Sequence, residues 1–293
     1  MSVRLIAEAG CNHMGDLALA KEFIKMAAVF CKADAIKFQK RTPRELLTEE
    51  QYNAPHPDPR NAYGPTYGSH REFLEFSIEQ HAELQNCCED FGIEYGCSVW
   101  DMTSAKGIAG LRPKMIKIPS ACNNFREMLI WLCENYEGEI HVSLGMTTRA
   151  EEKALVQLFA DEGRAKDAVL YSCTSGYPVP PKDICLLEIS RIKAEYGGIV
   201  KAIGFSGHHN GIAPDIAALT LGAAVIERHF TLDRTWKGTD HAASLEPDGL
   251  RKLKRDLENV EAALRYKERE ILDIEEAQRV KLKHVEKREA AHE

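Results

Sequence analysis

The sequence predicts an α/β fold, a closed (β/α)8 barrel followed by a charged helical C-terminal extension. Short apolar and β-branched runs alternate with longer segments whose apolar residues recur every three or four positions. Eight such strand–helix units follow one another, and eight parallel strands is the number at which a sheet closes into a TIM barrel. The 293 residues fit a barrel of about 250 residues plus an appendage. A doubly wound open sheet is the main structural alternative.

The predicted elements follow in chain order. The strands are short runs at residues 3–9, 35–38, 93–98, 115–118, 139–143, 168–172, 200–204 and 224–227. Helices with a three-to-four-residue apolar period are predicted at 17–30, 72–91, 104–111, 125–136, 149–162, 183–196, 212–221 and 247–264.

Two stretches depart from this alternation. Residues 41–70 are rich in Pro, Gly, Asn and Tyr and exceed an ordinary connection, which indicates a functional lid or a partner-contacting loop; a disordered insertion is the alternative. Residues 251–293 carry 12 basic and 11 acidic side chains, typical of solvated helices that pack on a second subunit. We therefore expect a barrel domain at 1–265, a charged helical extension at 266–293, and a homodimer.

Composition excludes several classes of function. The 38 basic and 45 acidic residues give a net charge of −7, unlike a general binder of nucleic acid or anionic membranes. No apolar run is long enough to span a bilayer, and the N-terminus lacks the long apolar stretch of a signal peptide. Nine cysteines without a CxxC pair indicate a reducing compartment, so we expect a cytoplasmic protein.

Polar side chains stand where each predicted strand ends. They are Glu8, Lys37, Gln39, Ser98, Lys117, Ser120, Ser143, Thr174, Ser175, Tyr177, Ser206, His208 and His229. The carboxyl ends of barrel strands converge on one face, where the chemistry of such barrels takes place. Two lysines among several serines favour a small, multiply charged anion such as a phosphate ester bearing a carboxylate. For either lysine alone, a solvated strand-end charge is the alternative.

Two histidines are candidate metal ligands. His208 and His229 follow neighbouring strands, whose ends lie about 5 Å apart. Two imidazoles with open positions suit Mn²⁺, Co²⁺, Zn²⁺ or Fe²⁺, with Mg²⁺ less natural; a hydrogen-bonded core role is the alternative. Asp240, beyond the last strand, could hold a sugar hydroxyl or a metal-bound water, or could instead be a turn residue.

Long segments of the chain match one known family. They are IAEAGCNHMGD (6–16), AIKFQK (35–40), YGPTYGSHREFLEFS (63–77), MIKIPSACNN (115–124), SLGM (143–146), CTSGYP (173–178), GFSGHH (204–209) and ERHFTLDRTWKGTDHAASLEP (227–247). They resemble the sialic acid (nonulosonic acid) synthases, which condense phosphoenolpyruvate with a hexosamine-derived aldehyde. The segments around 63–68 and 235–247 look most like the branch that includes the animal N-acylneuraminate 9-phosphate synthases.

The resemblance implies a role for each candidate residue. Phosphoenolpyruvate would be held by Lys37, Ser98, Lys117, Ser120, Ser143 and Ser206. The resemblance places Gln39, Tyr177 and Asp240 at the acceptor sugar, Thr174 among the substrate-binding residues and Glu8 near the reacting carbons. His208 and His229 would bind a divalent metal, Mn²⁺ first, with Mg²⁺ or Co²⁺ as alternatives. The catalytic set would then be Glu8, Lys37, Lys117, His208, His229 and Asp240.

The implied reaction joins phosphoenolpyruvate to N-acetylmannosamine or a related mannose derivative, with C–O cleavage, giving a nine-carbon 2-keto sugar acid and phosphate. Whether the acceptor is phosphorylated stays open. The alternatives are a Kdo-phosphate-type synthase using a pentose phosphate and a non-catalytic sugar-phosphate-binding protein.

Three departures from the family pattern concern the acceptor. Family members usually carry a C-terminal antifreeze-like domain that lends an arginine to the sugar site. Here we expect none, so that the 41–70 loop would close the site with Arg60 or Arg71 as substitute. The family's acidic sugar-binding residue is missing around Ala121 and Cys122, and the asparagine before the tyrosine is replaced by Ser175 or Gly176.

Overall fold

The computed structural model describes residues 2–284 and contains a closed barrel of eight parallel strands. Each strand pairs with the next in sequence, and β8 pairs with β1. The strands are β1 Arg4–Gly10, β2 Ala35–Lys40, β3 Glu94–Val99, β4 Met115–Ile118, β5 Glu139–Ser143, β6 Ala168–Cys173, β7 Ala202–Gly207 and β8 Val225–His229. The predicted (β/α)8 barrel is confirmed, and an open sheet is excluded.

The described part of the chain also contains twelve α-helices. They are α1 Leu17–Lys25, α2 Pro43–Leu46, α3 Glu49–Asn53, α4 Tyr67–Leu74, α5 Ile78–Phe91, α6 Met102–Gly110, α7 Arg126–Asn135, α8 Arg149–Asp161, α9 Leu187–Tyr196, α10 Ala213–Thr220, α11 Pro247–Ala263 and α12 Asp273–Leu282. A π-helical turn, Met26–Phe30, continues α1. The helix predicted at 72–91 is two helices, because the backbone is extended at Glu75 and Ser77 caps a new start through the amide of Gln80.

The stretch from 41 to 70 contains short helices rather than an irregular loop. Thr48 and Thr66 each begin a helix by accepting a hydrogen bond from the amide three residues on. The segment lies against the connection after β8, where the Tyr63 hydroxyl donates to the Lys237 carbonyl oxygen at 2.5 Å. The Gly238 amide donates to Asn61 Oδ1 at 3.2 Å. These contacts hold the segment over the carboxyl ends of the strands.

The interior of the barrel is filled below the site. One buried cluster of inward side chains consists of Ile6, Ala35, Met115, Val169, Tyr171 and Val225. At the amino-terminal end, the Arg4 guanidinium binds the carboxylates of Glu94 and Glu139 at 2.6 and 2.7 Å. A larger apolar core lies between strands and helices. The barrel is therefore a packed scaffold that leaves its carboxyl end for function.

The chain divides into two compact units, Met1–Glu261 and Ala262–Glu293. The first holds the barrel. In the second, α12 has no buried residue. The sequence-based boundary after residue 265, with an extension at 266–293, stays a prediction, and residues 285–293 lie outside the described part. Among the described residues, no helix is both long and apolar enough to cross a membrane.

Candidate active site

A cavity of about 290 Å³ lies at the carboxyl ends of the strands. It is lined by Glu8, Lys37, Gln39, Ser98, Trp100, Lys117, Pro119, Ser120, Ala121, Ser143, Met146, Cys173, Ser175, Tyr177, Ser206, His208, Glu227 and His229. Strand register brings these side chains together. Glu8 of β1 stands level with Lys37 on one side and with His229 on the other. Ser98 of β3 stands level with Gln39 and Lys117 in the same way.

The first lysine is held by a carboxylate and a hydroxyl. The Lys37 ammonium contacts the Glu8 carboxylate and donates to Ser98 Oγ at 2.6 Å. Both charged side chains are at most 3% exposed. Burial alone would lower the pKa of Lys37, but the carboxylates of Glu227 and Glu8 outweigh it and raise that pKa above its ordinary value. Lys37 is therefore a permanent cation in the floor of the cavity.

The second lysine is held by a residue that the sequence analysis did not single out. Lys117 Nζ donates to both carboxylate oxygens of Glu227, at 3.1 and 3.0 Å, and Lys37 Nζ lies 3.8 Å from the same carboxylate. The Ser206 hydroxyl donates to Glu227 at 3.0 Å. Burial raises the pKa of Glu227, but the two ammonium groups outweigh it and hold it well below its usual range. Burial lowers the pKa of Lys117 despite Glu227.

The two lysines and two glutamates form a buried cluster with no net formal charge when all four are ionised. An incoming anion therefore competes with Glu8 and Glu227 for the ammonium groups. The sequence analysis inferred an anion site from the two lysines and the serines, and the structure adds two carboxylates to that site. Glu227 has a sequence signal: in a strand, it points to the same side as His229, two residues later.

Hydroxyl groups line the wall beside Lys117. Ser120 Oγ accepts a hydrogen bond from the Gly145 amide at 3.0 Å. A side chain at Gly145 would collide with the hydroxyls of Ser120 and Ser175, so glycine is needed for this close approach. Ser143 and Ser206 line the same cavity. These hydroxyls can donate to the oxygens of an anion.

The two candidate metal ligands lie side by side. The rings of His208 and His229 are 5.4 Å apart between centroids. His208 Nδ1–H donates to the Thr174 carbonyl oxygen at 3.0 Å, which leaves its Nε2 lone pair available. Burial, followed by the neighbouring His229, lowers the pKa of His208 to about 3, so its imidazole is neutral. His229 Nδ1 is buried without a hydrogen-bond partner in the described structure, 3.8 Å from the Asp240 carboxylate.

These features fit a divalent metal held by two nitrogen ligands. The orphaned nitrogen of His229 and the carbonyl-oriented ring of His208 are arrangements that metal-binding imidazoles show. Within residues 2–284, no group of three or more His, Cys, Asp or Glu side chains is arranged to hold a metal. The remaining coordination positions would therefore belong to solvent or substrate.

A second cavity, of about 170 Å³, adjoins the first and shares Gln39, Trp100, Tyr177 and His229 with it. Its other lining residues are Cys11, Asn12, Arg41, Tyr63, His70, Arg71, Leu74, Gly238, Thr239 and Asp240. Gln39 Nε2 donates to Glu8 at 2.6 Å, and its carbonyl oxygen accepts from Arg41. The Arg41 guanidinium stacks 3.9 Å over the Trp100 ring. Gln39 is therefore fixed at the boundary between the two cavities.

Asp240 belongs to the second cavity. Burial raises its pKa, but the His229 imidazole, the Thr239 hydroxyl and the Arg41 and Arg71 guanidinium groups outweigh burial and leave that pKa below its usual value. Gly10, at the end of β1, lies between the side chains of Gln39 and Asp240. A Cβ atom at position 10 would be 3.2 Å from Gln39 Nε2 and 3.5 Å from Asp240 Oδ2.

The structure brings nearly all the sequence-predicted residues to these two cavities. Of the thirteen residues given a catalytic or substrate-binding role, eleven line the first cavity (Glu8, Lys37, Gln39, Ser98, Lys117, Ser120, Ser143, Tyr177, Ser206, His208 and His229), and Asp240 lines the second.

Thr174 is the exception. Its hydroxyl donates to the Asp183 carbonyl oxygen at 2.8 Å, and it lines neither cavity. Its contribution is the backbone carbonyl that orients His208. Of the two arginines proposed to replace a missing one, Arg71 lines the second cavity. Arg60 is 89% exposed and pairs with Asp58 at 2.9 Å. Glu227, Arg41 and Trp100 are site residues that the sequence analysis missed.

Comparison with known proteins gives a consistent result. The NeuB family profile matches residues 23–269. The human N-acetylneuraminate-9-phosphate synthase is 37% identical over 95% of this chain and 76% of its own length. The N,N'-diacetyllegionaminic acid synthase of Campylobacter jejuni is 33% identical over 89% of this chain and 77% of its own. Among solved structures, the N-acetylneuraminic acid (sialic acid) synthetase of Leptospira borgpetersenii, crystallised with citrate, superposes with a TM-score of 0.81 at 28% identity. That match covers 96% of this chain and 93% of the other.

Proposed function

The chain belongs to the NeuB family, and from that premise we propose that it is a sialic acid synthase-type transferase. It condenses phosphoenolpyruvate with N-acetylmannosamine or a related mannose derivative, giving a nine-carbon 2-keto sugar acid and phosphate. The observation that carries this proposal is the cavity in which two buried lysines, four serines and two imidazoles from six strand ends meet.

Phosphoenolpyruvate fits the floor of the first cavity. Its phosphate and carboxylate need cations, which Lys37 and Lys117 supply. Donors on the wall come from Ser98, Ser120, Ser143 and Ser206. Because Glu8 and Glu227 already neutralise the lysines, binding of this trianion requires the ammonium groups to exchange a carboxylate for the ligand. We expect proton uptake by one carboxylate to accompany that exchange.

A divalent metal fits His208 and His229, and we propose Mn²⁺ first, with Co²⁺ or Mg²⁺ as alternatives. When bound, the metal supplies Lewis-acid polarisation of the acceptor's carbonyl group. The chain's own residues then position the reactants. Gln39 and Tyr177 line both cavities, and Asp240 lines the second, so the acceptor would extend from His229 into the second cavity.

The bond changes balance as follows. A carbon–carbon bond forms between the methylene carbon of phosphoenolpyruvate and the aldehyde carbon, whose oxygen becomes a hydroxyl. Water adds to C2, and the C2–O bond to phosphate breaks, leaving the ketone and inorganic phosphate. Holding both polar reactants together is the main contribution of the fixed lysines and serines. Glu8 contacts Lys37 and Gln39, and we place it beside the reacting carbons.

We further propose that the enzyme is a cytoplasmic homodimer. The cysteines support the compartment, because all nine are free thiols rather than disulfides. The family resemblance and the charged segment after residue 250 support the dimer.

An acceptor panel tests the proposed reaction. The EDTA-treated enzyme is given phosphoenolpyruvate, added Mn²⁺ and one acceptor: N-acetylmannosamine, its 6-phosphate, mannose 6-phosphate or a pentose 5-phosphate. We expect phosphate release and a nine-carbon keto acid with a mannosamine-type acceptor. An eight-carbon product from the pentose phosphate would indicate the Kdo-phosphate-type alternative. Calorimetric binding without any turnover would indicate a non-catalytic binding protein.

A pair of histidine variants tests the metal site. His229→Ala should abolish metal-dependent turnover and weaken Mn²⁺ binding measured by calorimetry, with an unchanged circular dichroism spectrum. His284→Ala is the matched control, because His284 is exposed. Unchanged Mn²⁺ binding in His229→Ala would contradict the ligand assignment.

A further inference from the structure

The Lys117 ammonium has a second partner besides the Glu227 carboxylate. Its nitrogen lies 3.5 Å from the centre of the Tyr171 ring, over the ring face. An aromatic ring attracts a cation through the negative charge of its face, and the attraction is largest where water is excluded. Water is excluded here, because Lys117 is 2% exposed and Tyr171 is fully buried. The contact therefore favours the charged form of Lys117.

Strand geometry places this ring directly below the first cavity. Tyr171 and Cys173 are two residues apart on β6, so both side chains point into the barrel, and of the two only Cys173 lines the cavity. On the neighbouring strand β7, Gly204 stands level with Tyr171. A Cβ atom at Gly204 would lie 2.6 Å from the ring, so glycine at this position leaves the space that the ring occupies.

The Tyr171 hydroxyl is held by a chain of groups that leads to the amino-terminal end of the barrel. His141 Nδ1 lies 2.7 Å from the hydroxyl oxygen, and His141 Nε2 lies 2.8 Å from Glu139 Oε2. Glu139 in turn pairs with Arg4 and Lys201, at 2.7 and 2.8 Å. The ring is thus anchored by groups outside the cavity, which no ligand in the cavity displaces.

The proton positions in this chain follow from the charges. Burial raises the pKa of the Glu139 carboxyl, but the hydrogen bonds from its three partners outweigh burial and hold that pKa well below its usual range. Burial lowers the pKa of His141 to about 4 despite Glu139, so the imidazole is neutral near pH 7 and carries one N–H. Because a carboxylate only accepts, His141 Nε2–H donates to Glu139, and Nδ1 accepts from the Tyr171 hydroxyl. Burial also raises the pKa of Tyr171 well above its ordinary value, so the phenol stays neutral.

Lys117 is the lysine of the cavity that most needs support for its charge. Burial lowers its pKa and outweighs the Glu227 carboxylate, and the Lys37 ammonium lowers that pKa further. The other titratable groups that face it are the Cys173 thiol on β6 and the neutral His141 imidazole on β5. The pKa of Lys37, by contrast, is raised.

An anion in the first cavity binds the ammonium form of Lys117, because a neutral amine supplies no charge to a phosphate or a carboxylate. Resting on the proposed function, we propose that Tyr171 is a positioning residue for phosphoenolpyruvate binding. Its ring face keeps the Lys117 nitrogen protonated and fixed under the anion while the ligand exchanges with Glu227. Tyr171 itself touches neither reactant.

A fluorination series separates the charge interaction from the space that the ring fills. Position 171 carries phenylalanine (Tyr171→Phe), and then phenylalanine with one, two and three ring fluorines, which withdraw charge from the ring face with little change in volume. The Kd of phosphoenolpyruvate is measured by calorimetry from about pH 7 to about pH 10, the range in which a lysine of lowered pKa loses its proton. The titration midpoint of Lys117 is measured without ligand by NMR of ¹³C-labelled lysine, with Lys117→Arg to assign its signal.

Tyr95 provides the matched control. It is also buried, and its hydroxyl oxygen lies 2.8 Å from His81 Nδ1, but its side chain belongs to the apolar core between strands and helices. The same substitutions at position 95 therefore change an equivalent tyrosine–histidine pair outside the barrel interior.

We expect Tyr171→Phe to titrate close to wild type, because it keeps the ring. From Tyr171→Phe to the trifluorinated form, the Lys117 midpoint should fall by about one pH unit, which is a tenfold change in the protonation equilibrium. The pH above which phosphoenolpyruvate binding weakens should fall with it, while Kd near pH 7 changes much less. Cys173 and Lys37 are present in every member of the series, so their titration does not distinguish the members. The series at Tyr95 should move neither quantity.

An unchanged Lys117 midpoint across the series, or an equal fall in the Tyr95 series, would overturn the proposal and leave the proposed function intact. Absent phosphoenolpyruvate binding at every pH would contradict the proposed function instead. The ligand-free titration then decides the role of the ring alone: a stepwise fall of the Lys117 midpoint supports the contact, and a constant midpoint overturns it.

Discussion

Replacing Lys117 separates its structural role from its role in binding phosphoenolpyruvate. Lys117→Met keeps the length of the side chain but leaves the Glu227 carboxylate, 6% exposed, without its nearest cation. Breaking a buried ion pair in this way costs about 3–5 kcal/mol. Because Lys37 remains 3.8 Å away and Ser206 still donates at 3.0 Å, we expect the lower end, about 3 kcal/mol of unfolding free energy.

The double variant Lys117→Met/Glu227→Gln removes the buried charge as well as its partner. We expect it to recover about 2 kcal/mol of the lost unfolding free energy, because replacing both partners of a buried ion pair destabilises a protein far less than removing one. Its kcat/KM for phosphoenolpyruvate should stay roughly 10- to 150-fold below wild type, since the ammonium contact to the ligand is still missing. Urea unfolding and phosphate-release kinetics measure the two quantities. A double variant with wild-type kcat/KM would refute the assignment of Lys117 to phosphoenolpyruvate.

Two further predictions use other parts of the molecule. Thr174→Val should leave kcat/KM for phosphoenolpyruvate within about twofold of wild type, because the Thr174 hydroxyl donates to the Asp183 carbonyl oxygen and not into the cavity. Ser206→Ala should lower the same kcat/KM by about tenfold. Equal losses in the two variants would show that the Thr174 hydroxyl acts in the site. Burial lowers the pKa of His81 to about 3. Below about pH 6.5 the unfolded form therefore takes up a proton that the folded form does not, and the free energy of unfolding decreases as the pH is lowered. In His81→Gln, the slope of the urea-derived free energy of unfolding against pH, between pH 6 and pH 4.5, should decrease by about 1.4 kcal/mol per pH unit. His284→Gln, at an exposed histidine, is the control. An unchanged slope in His81→Gln would contradict a neutral buried His81.

Barrel topology and most of the site follow from local patterns. Apolar runs alternating with helical periodicity specify parallel strands, and the polar residue that ends each run must lie on the carboxyl face. Lys37, Lys117, His208 and His229 could be found in this way because each lies near a strand end. The helices of the 41–70 segment could also have been predicted, since Thr48 begins a capping box with Gln51.

Pairwise distances could not be predicted. That Glu227 neutralises Lys117 depends on how β4 and β8 face each other across the barrel and on rotamers. That Lys37 contacts Glu8 depends on the register between β1 and β2 and on rotamers. The direction of the Thr174 hydroxyl depends on the conformation after β6, which no periodicity specifies. The four buried charges sum to zero only because β1, β2, β4 and β8 bring two glutamates and two lysines to one place, and no single strand shows this.

The central claim is that phosphoenolpyruvate reacts in the first cavity by carbon–carbon condensation with cleavage of its C–O bond. Phosphoenolpyruvate labelled with ¹⁸O in the oxygen that bridges C2 and phosphorus tests it directly, with Mn²⁺ and N-acetylmannosamine or its 6-phosphate as co-substrates. We expect mass spectrometry to find the label in the released phosphate and an unlabelled nine-carbon keto acid. Label retained in the organic product, or no nine-carbon product with either acceptor, would contradict the account.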